Sequence, residues 1–112
     1  MFEVYKDKGK KKNCWRWRLK DKEADIIAIS EEAFIAKRNA ERSIETIRKS
    51  LSSKTARFEI YMDKPMRARW KMVSKNGRTL AMSPIGFDSL TMLWGDLGEF
   101  KKLARKPKIK EV

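Results

Sequence analysis

Residues 2–8 have the sequence FEVYKDK, and residues 58–64 have the sequence FEIYMDK. The match continues downstream, because residues 17–30 and 70–83 both begin with tryptophan and end with serine at the same spacing. The two copies are offset by 56 residues at the start and by 53 residues later, and such self-similarity indicates a repeated supersecondary unit whose copies bury a common core. This repeat decides the fold class that we predict.

The repeat also sets the predicted domain organisation. With 112 residues, the chain is long enough for one ordinary domain and too short for two independent cores. We expect a single domain over residues 1–112, in which residues 1–53 are repeat one and residues 54–112 are repeat two.

Each repeat shows three strand patterns followed by a helix pattern. Apolar and basic residues alternate in WRWRLK at residues 15–20, which is typical of a half-buried strand. Apolar residues at three- and four-residue spacing over residues 36–51 predict a helix with one buried stripe. The second helix is weaker, because Gly95 and Gly98 each cost about 1 kcal/mol relative to alanine in a helix interior. The patterns predict an α+β fold built from β-β-β-α units.

The sequence resembles the YegP-like family, a bacterial and archaeal domain of unknown function. Four segments carry the resemblance: residues 2–7, 15–20, 26–31 and 40–49. It is close over residues 2–51 and weaker over residues 58–103. It implies two tandem β-β-β-α(-β) repeats that share one antiparallel sheet with the helices packed on one face. It supplies no catalytic residues.

Composition argues against catalysis and against cofactor binding. The chain has no histidine, which removes the most common proton-transfer group and metal ligand. Cys14 is the single cysteine, so a thiolate metal site is excluded. We expect a non-enzymatic protein without a cofactor. No apolar run approaches the roughly 18 residues of a membrane span and no secretory signal is evident, so we expect a cytoplasmic protein that does not enter a membrane.

The charge of the chain predicts a polyanionic partner. The net charge is +13, of which +5 lies in residues 1–53 and +8 in residues 54–112. A basic domain of this size attracts DNA, RNA or an acidic protein surface. The leading hypothesis is a small basic binding protein that engages nucleic acid or a nucleoprotein through its backbone charge.

Two groups of residues are candidates for such contacts. Strand alternation places tyrosines among cations on one sheet face, which suits base stacking and phosphate binding; these residues are Tyr5, Arg16, Arg18, Tyr61, Arg69 and Lys71. The first hairpin adds a lysine cluster formed by Lys8, Lys10, Lys11 and Lys12. The alternative for the sheet face is structural, with Glu3 paired to Arg16 or Arg18 and Glu59 paired to Arg69. The C-terminal run of cations from Lys101 onward is either a phosphate-binding tail or a charged helix end.

The rival hypothesis is a protein-interaction module or inhibitor. An exposed sheet edge could pair with an acidic partner or with a second copy, so the chain would be a monomer or a homodimer. In that case Leu90, Met92 and Trp94 of the second helix would carry the binding.

Overall fold

In the computed structural model, which describes residues 1–8 and 14–112, the chain folds in the order β-β-β-α-β-β-β-α-β. The elements are β1 (Phe2–Lys6), β2 (Trp15–Lys20), β3 (Ile26–Ile29), α1 (Lys37–Ser52), β4 (Arg57–Met62), β5 (Ala68–Val73), β6 (Thr79–Met82), α2 (Leu90–Ala104) and β7 (Ile109–Glu111). The strands form one seven-stranded sheet in the order β4-β5-β6-β3-β2-β1-β7. The prediction of a mixed α+β fold with one sheet and two helices is therefore confirmed.

The expectation of a fully antiparallel sheet is wrong at one edge. Strand β7 pairs with β1 in parallel, with Phe2 opposite Ile109, whereas the other neighbouring strands pair antiparallel. Hairpins enforce antiparallel pairing, but β7 reaches β1 only after the helical connection α2, and such crossovers permit parallel pairing.

Three tight turns share one backbone conformation. Ala24, Met66 and Gly77 have φ angles of 65°, 64° and 87°. Each lies at the fourth position of a five-residue hairpin connection, where a left-handed residue matches the strand twist. Only Gly77 adopts this conformation without strain, because it lacks a Cβ. In the first turn, Asp21 Oδ1 compensates by accepting hydrogen bonds from the backbone N–H groups of Glu23 and Asp25 at 2.9 and 3.0 Å.

The core lies between the sheet and the two helices. Trp17 and Trp70 are fully buried, and the backbone N–H of each donates to the hydroxyl of a buried serine, Ser30 or Ser83, at 3.2 Å. The helices bury the apolar stripes Ala40, Ile44, Ile47, Leu51 and Leu93, Leu97, Phe100, Ala104. Ser89 caps α2 by accepting a hydrogen bond from the N–H of Met92.

The two halves of the chain meet at the centre of the sheet. Strand β3 pairs with β6 through Ile29 and Met82. Helix α1 packs on β1, β2 and β6, and helix α2 packs on β3 and β5. Each helix therefore contacts a strand from the other half. Within the described residues, no helix has the length and apolarity needed to cross a membrane.

Candidate polyanion-binding surfaces

Strand register aligns a row of residues across the open face, the side of the sheet opposite the helices. From β1 to β4 the row is Glu3, Arg18, Ile29, Met82, Lys71 and Glu59. Directly paired residues project on the same side of a sheet, so the row has an apolar centre flanked by a cation and then a carboxylate on each side.

In the first half, the predicted cations are paired with carboxylates. Arg18 Nε lies 2.7 Å from Glu3 Oε1, and the guanidinium carbon lies 4.6 Å from the centre of the Tyr5 ring. The hydrogen bond from Arg18 holds the pKa of Glu3 below its ordinary value. Arg16 Nε lies 3.3 Å from Asp7 Oδ2. The expected pairing of Glu3 with the β2 arginines is thus confirmed for Arg18.

The second half repeats this pattern with different carboxylates. Lys71 Nζ lies 3.6 Å from Glu59 Oε1 and 5.6 Å from the centre of the Tyr61 ring. Arg69 Nε lies 2.8 Å from Asp63 Oδ2, and this hydrogen bond lowers the pKa of Asp63. The expected pairing of Arg69 with Glu59 is wrong. Strand register places Arg69 opposite Tyr61 and Lys71 opposite Glu59, so Arg69 reaches the turn carboxylate instead.

The open face is therefore largely charge-balanced. Its four predicted cations each have a carboxylate within ion-pair distance, and both tyrosine rings lie beside a cation. A phosphate would have to compete with these carboxylates. In the lysine hairpin, Lys8 is exposed, and Lys10, Lys11 and Lys12 lie outside the described residues.

A second group of cations lies at the C-terminal end of α2. We call this group the basic end of α2, and it consists of Lys101, Lys102, Arg105 and Lys106. Across residues 1–8 and 14–112, no carboxylate lies within 4.0 Å of their charged nitrogens. They line a shallow depression that begins at Gly98. Lys101 Nζ also lies 4.7 Å from the centre of the Phe58 ring. These four cations are available to an external anion.

Helix α2 also exposes apolar side chains, but they do not form one patch. Leu90, Met92 and Trp94 are 55%, 57% and 54% exposed. Positions four apart share a helix side, so Leu90 and Trp94 lie together. Met92 lies about 200° around the helix from Leu90, because each residue advances about 100°. Met92 therefore does not share a helix side with Leu90 and Trp94, and the binding role expected of these three residues stays a prediction.

The described residues hold no cluster of acidic or cysteine side chains that could bind a metal ion. Burial raises the pKa of Asp96 to about 6, with a smaller contribution from the charge of Asp21. The carboxylate accepts a hydrogen bond from Trp70 Nε1 at 2.8 Å. This contact makes Asp96, which is partly buried, the acceptor for the indole N–H of the buried Trp70.

Comparison with known proteins identifies the fold. The family described as a domain of unknown function, DUF1508, matches residues 10–57. The solution structure of yegP from E. coli, a protein of unknown function, has a TM-score of 0.81 and 18% identity over 98% of this chain and 90% of that chain. A UPF0339 protein from Shewanella oneidensis has a TM-score of 0.80 and 17% identity over 98% and 88%.

The chain thus resembles the YegP-like family in sequence over residues 10–57 and in fold over nearly its whole length. This confirms the resemblance predicted from the sequence. At such identities the two solved structures show the fold of this chain and no more. The search among curated proteins gave no match. The function has to be argued from the surface of this chain.

Proposed function

We propose that this chain is a small, basic, non-enzymatic protein that binds nucleic acid, alone or within a nucleoprotein, through phosphate contacts at the basic end of α2. The observation that carries this proposal is the absence of a carboxylate partner, within the described residues, for the four cations of that end. On the open face, the predicted cations are paired.

The physical basis is backbone electrostatics. Cations that contact phosphates release condensed counterions, and this term does not depend on sequence. The carbonyls at a helix C-terminus contribute only about half a negative charge. They stabilise part of the cluster and leave most of its positive charge for an external anion. The net charge of +13 adds long-range attraction to any polyanion.

A comparison of the two halves of the chain supports a binding role that is specific to the second half. We propose that the halves are tandem copies of one β-β-β-α unit, aligned by the equivalent hydrogen bonds of Trp17 and Trp70. With that alignment, Lys101 and Lys102 correspond to Arg48 and Lys49. Arg48 is paired with Glu45.

The two remaining cations of the basic end are particular to the second copy. Arg105 and Lys106 correspond to Ser52 and Ser53 in the first copy. The unpaired cluster is therefore a property of the second unit and not of the fold that both units share.

Binding measurements across a salt series test the proposal. Fluorescence anisotropy with labelled single- and double-stranded DNA and RNA would compare the native chain with a Lys102→Gln/Arg105→Gln variant. We expect at least tenfold weaker binding. We also expect the slope of log K against log salt to shrink by about 1.4 to 1.8, since two phosphate contacts are lost.

A matched control variant distinguishes binding at a local site from attraction by the net charge of the whole chain. The Arg16→Gln/Arg69→Gln variant loses the same net charge from the open face, and we expect its affinity to change by less than threefold. Absence of binding to every nucleic acid would refute the proposal. Equal losses in both variants would assign the binding to overall charge.

A further inference from the structure

Strand β4 leaves one edge of the sheet open. It is the terminal strand, and its six residues pair with β5 in an unbroken register from Arg57 to Met62. In the described part of the chain, no strand pairs with its outer edge. The strand contains no proline, lysine or bulge, and its two charged residues, Arg57 and Glu59, pair with each other on the open face. The opposite edge strand, β7, has only three residues.

One side of helix α2 faces this edge of the sheet. Lys101 Nζ lies 4.7 Å from the ring centre of Phe58 in β4, which identifies the side of the helix that faces the strand. Trp94 and Leu90 precede Lys101 by seven and eleven residues, or about two and three helical turns. They therefore lie on the same side of α2, and each is more than half exposed.

The helix and the strand run in opposite directions along this edge. Phe58 lies beside the C-terminal part of α2, since its ring centre is 6.3 Å from that of Phe100. At the other end, Met62 pairs with Ala68, which bridges to Phe87, three residues before α2 begins. Met62 therefore lies near the N-terminal end of the helix.

The edge and the helix together form a shelf with an apolar end and a basic end. On the helix side of β4, Ile60 is 38% and Met62 is 54% exposed. With Leu90 and Trp94 they form the apolar end of what we call the β4–α2 shelf. Its basic end carries Lys101 and Arg105.

We propose that the β4–α2 shelf binds an extended acidic segment of a partner protein as an eighth strand. The open backbone edge would supply main-chain hydrogen bonds, and alternate apolar side chains of the segment would pack on Ile60 and Trp94. Its acidic residues would lie at Lys101 and Arg105. This charge complementarity specifies the partner, since these cations have no carboxylate in the described structure.

A second copy of the chain fits the shelf less well. Antiparallel pairing of two β4 strands would place the basic end of one copy beside the apolar end of the other. Each copy would also carry a net charge of +13. The mismatch of the two ends and the repulsion between the two positive charges both oppose self-association. A segment with apolar residues at one end and acidic residues at the other would match both ends of the shelf.

A displayed library of random 12-residue peptides, selected on the immobilised full chain, supplies the probe. We expect enriched peptides to carry apolar residues at alternate positions of one end and acidic residues at alternate positions of the other end, so that both sets face the helix side. Calorimetry with a synthetic enriched peptide should show at least tenfold weaker binding to Ile60→Lys and to Trp94→Ser. The Met92→Ser variant, on the other side of α2, is the matched control and should stay within twofold of the native chain. Circular dichroism of all three variants verifies folding.

Peptide backbone chemistry distinguishes strand addition from simple apolar contact. N-methylation at every second residue removes the hydrogen bonds on one edge of the peptide. We expect one alternating set of methyl groups to abolish binding and the other set to leave it within threefold. Equal effects of the two sets would overturn strand addition.

Other results would also overturn the proposal. These are a selection without enriched peptides, enriched peptides without acidic residues, or binding that survives Ile60→Lys. A native dimer in sedimentation velocity that Ile60→Lys dissociates would assign the edge to a second copy. If Ile60→Lys weakened nucleic-acid binding as much as Lys102→Gln/Arg105→Gln, the shelf would belong to the nucleic-acid surface. If no peptide binds, the proposal that the basic end of α2 binds nucleic acid is unaffected.

Discussion

The indole nitrogen of Trp70 donates a hydrogen bond to the carboxylate of Asp96 at 2.8 Å, whereas the equivalent nitrogen of Trp17 donates to the hydroxyl of Ser43 at 3.2 Å. Both tryptophans are fully buried, so each N–H needs an acceptor. The second half satisfies this need with an ionisable group, and its stability should therefore depend on pH.

Replacement of Asp96 by asparagine should remove that dependence. Burial raises the pKa of Asp96 from 3.8 to about 6, so the folded chain holds the proton more tightly than the unfolded chain does. The contribution of Asp96 to the free energy of unfolding is therefore greatest below about pH 4 and is lost as pH rises through about 6.

After allowance for solvent screening, we expect native stability to fall by about 1–2 kcal/mol relative to Asp96→Asn between pH 4 and pH 7. Urea unfolding of both proteins at half-unit pH intervals measures the difference. Curves that stay parallel over this range would contradict the expectation.

The left-handed turn positions predict opposite effects of two reciprocal substitutions. Gly77→Ala should lower the free energy of unfolding by about 1 kcal/mol, because a Cβ there has no atoms within 4 Å and the cost lies in the backbone alone. Ala24→Gly should raise it by up to about 1 kcal/mol, because it relieves a φ of 65°. Thermal unfolding of both variants checks the pair, and a change of the same sign in both would refute the turn argument.

Two glycines of the second half should respond in opposite ways to alanine. A Cβ on Gly86 would lie 2.5 Å from Arg67 Cβ and 2.6 Å from Asp63 Oδ2, so Gly86→Ala should cost about 1–3 kcal/mol. Gly95→Ala meets no atom within 4 Å and removes a helix-interior glycine, so it should add about 1 kcal/mol. Denaturant midpoints measure both changes. Equal midpoints would show that neither position is constrained.

The Glu3 carboxylate should support stability only where it is ionised. Its pKa is lowered by the hydrogen bond from Arg18, so its contribution is present above the ordinary value of 4.5 and is lost as pH falls through the folded-state value. We expect Glu3→Gln to lower the free energy of unfolding by about 0.5–1 kcal/mol at pH 7 and by almost nothing at pH 2.5. Glu45→Gln, which breaks an exposed pair with Arg48, is the control and should have a smaller effect at pH 7. A constant deficit for Glu3→Gln at both pH values would exclude the ionic explanation.

Local patterns were sufficient for most of the fold. The alternation around Trp17 and the helical stripe around Ile44 predicted their elements because both depend on the residue's immediate neighbours in sequence. The parallel pairing of Phe2 with Ile109 was not predicted, because it joins positions about a hundred residues apart. No local pattern encodes that choice of edge.

The candidate surfaces were harder to predict for a related reason. The sequence identified Arg69 as an open-face cation, but its partner depends on register and on the reach of the Asp63 side chain from the turn. The angular positions of residues around a helix follow from the sequence alone, and they place Met92 and Trp94 on different sides of α2. That Lys102 and Arg105 lack a carboxylate partner could be established only from the positions of all the described carboxylates.

The join between β3 and β6 has a mechanical consequence. Backbone pairing there involves Ile29 and Met82, whereas β4 and β5 pair over six positions. The halves are joined a second time at the sheet edge, where β7 pairs with β1 at three positions, and each helix rests on a strand from the opposite half. A force that pulls the halves apart would therefore have to strip β7 from β1 as well as open the short β3–β6 join.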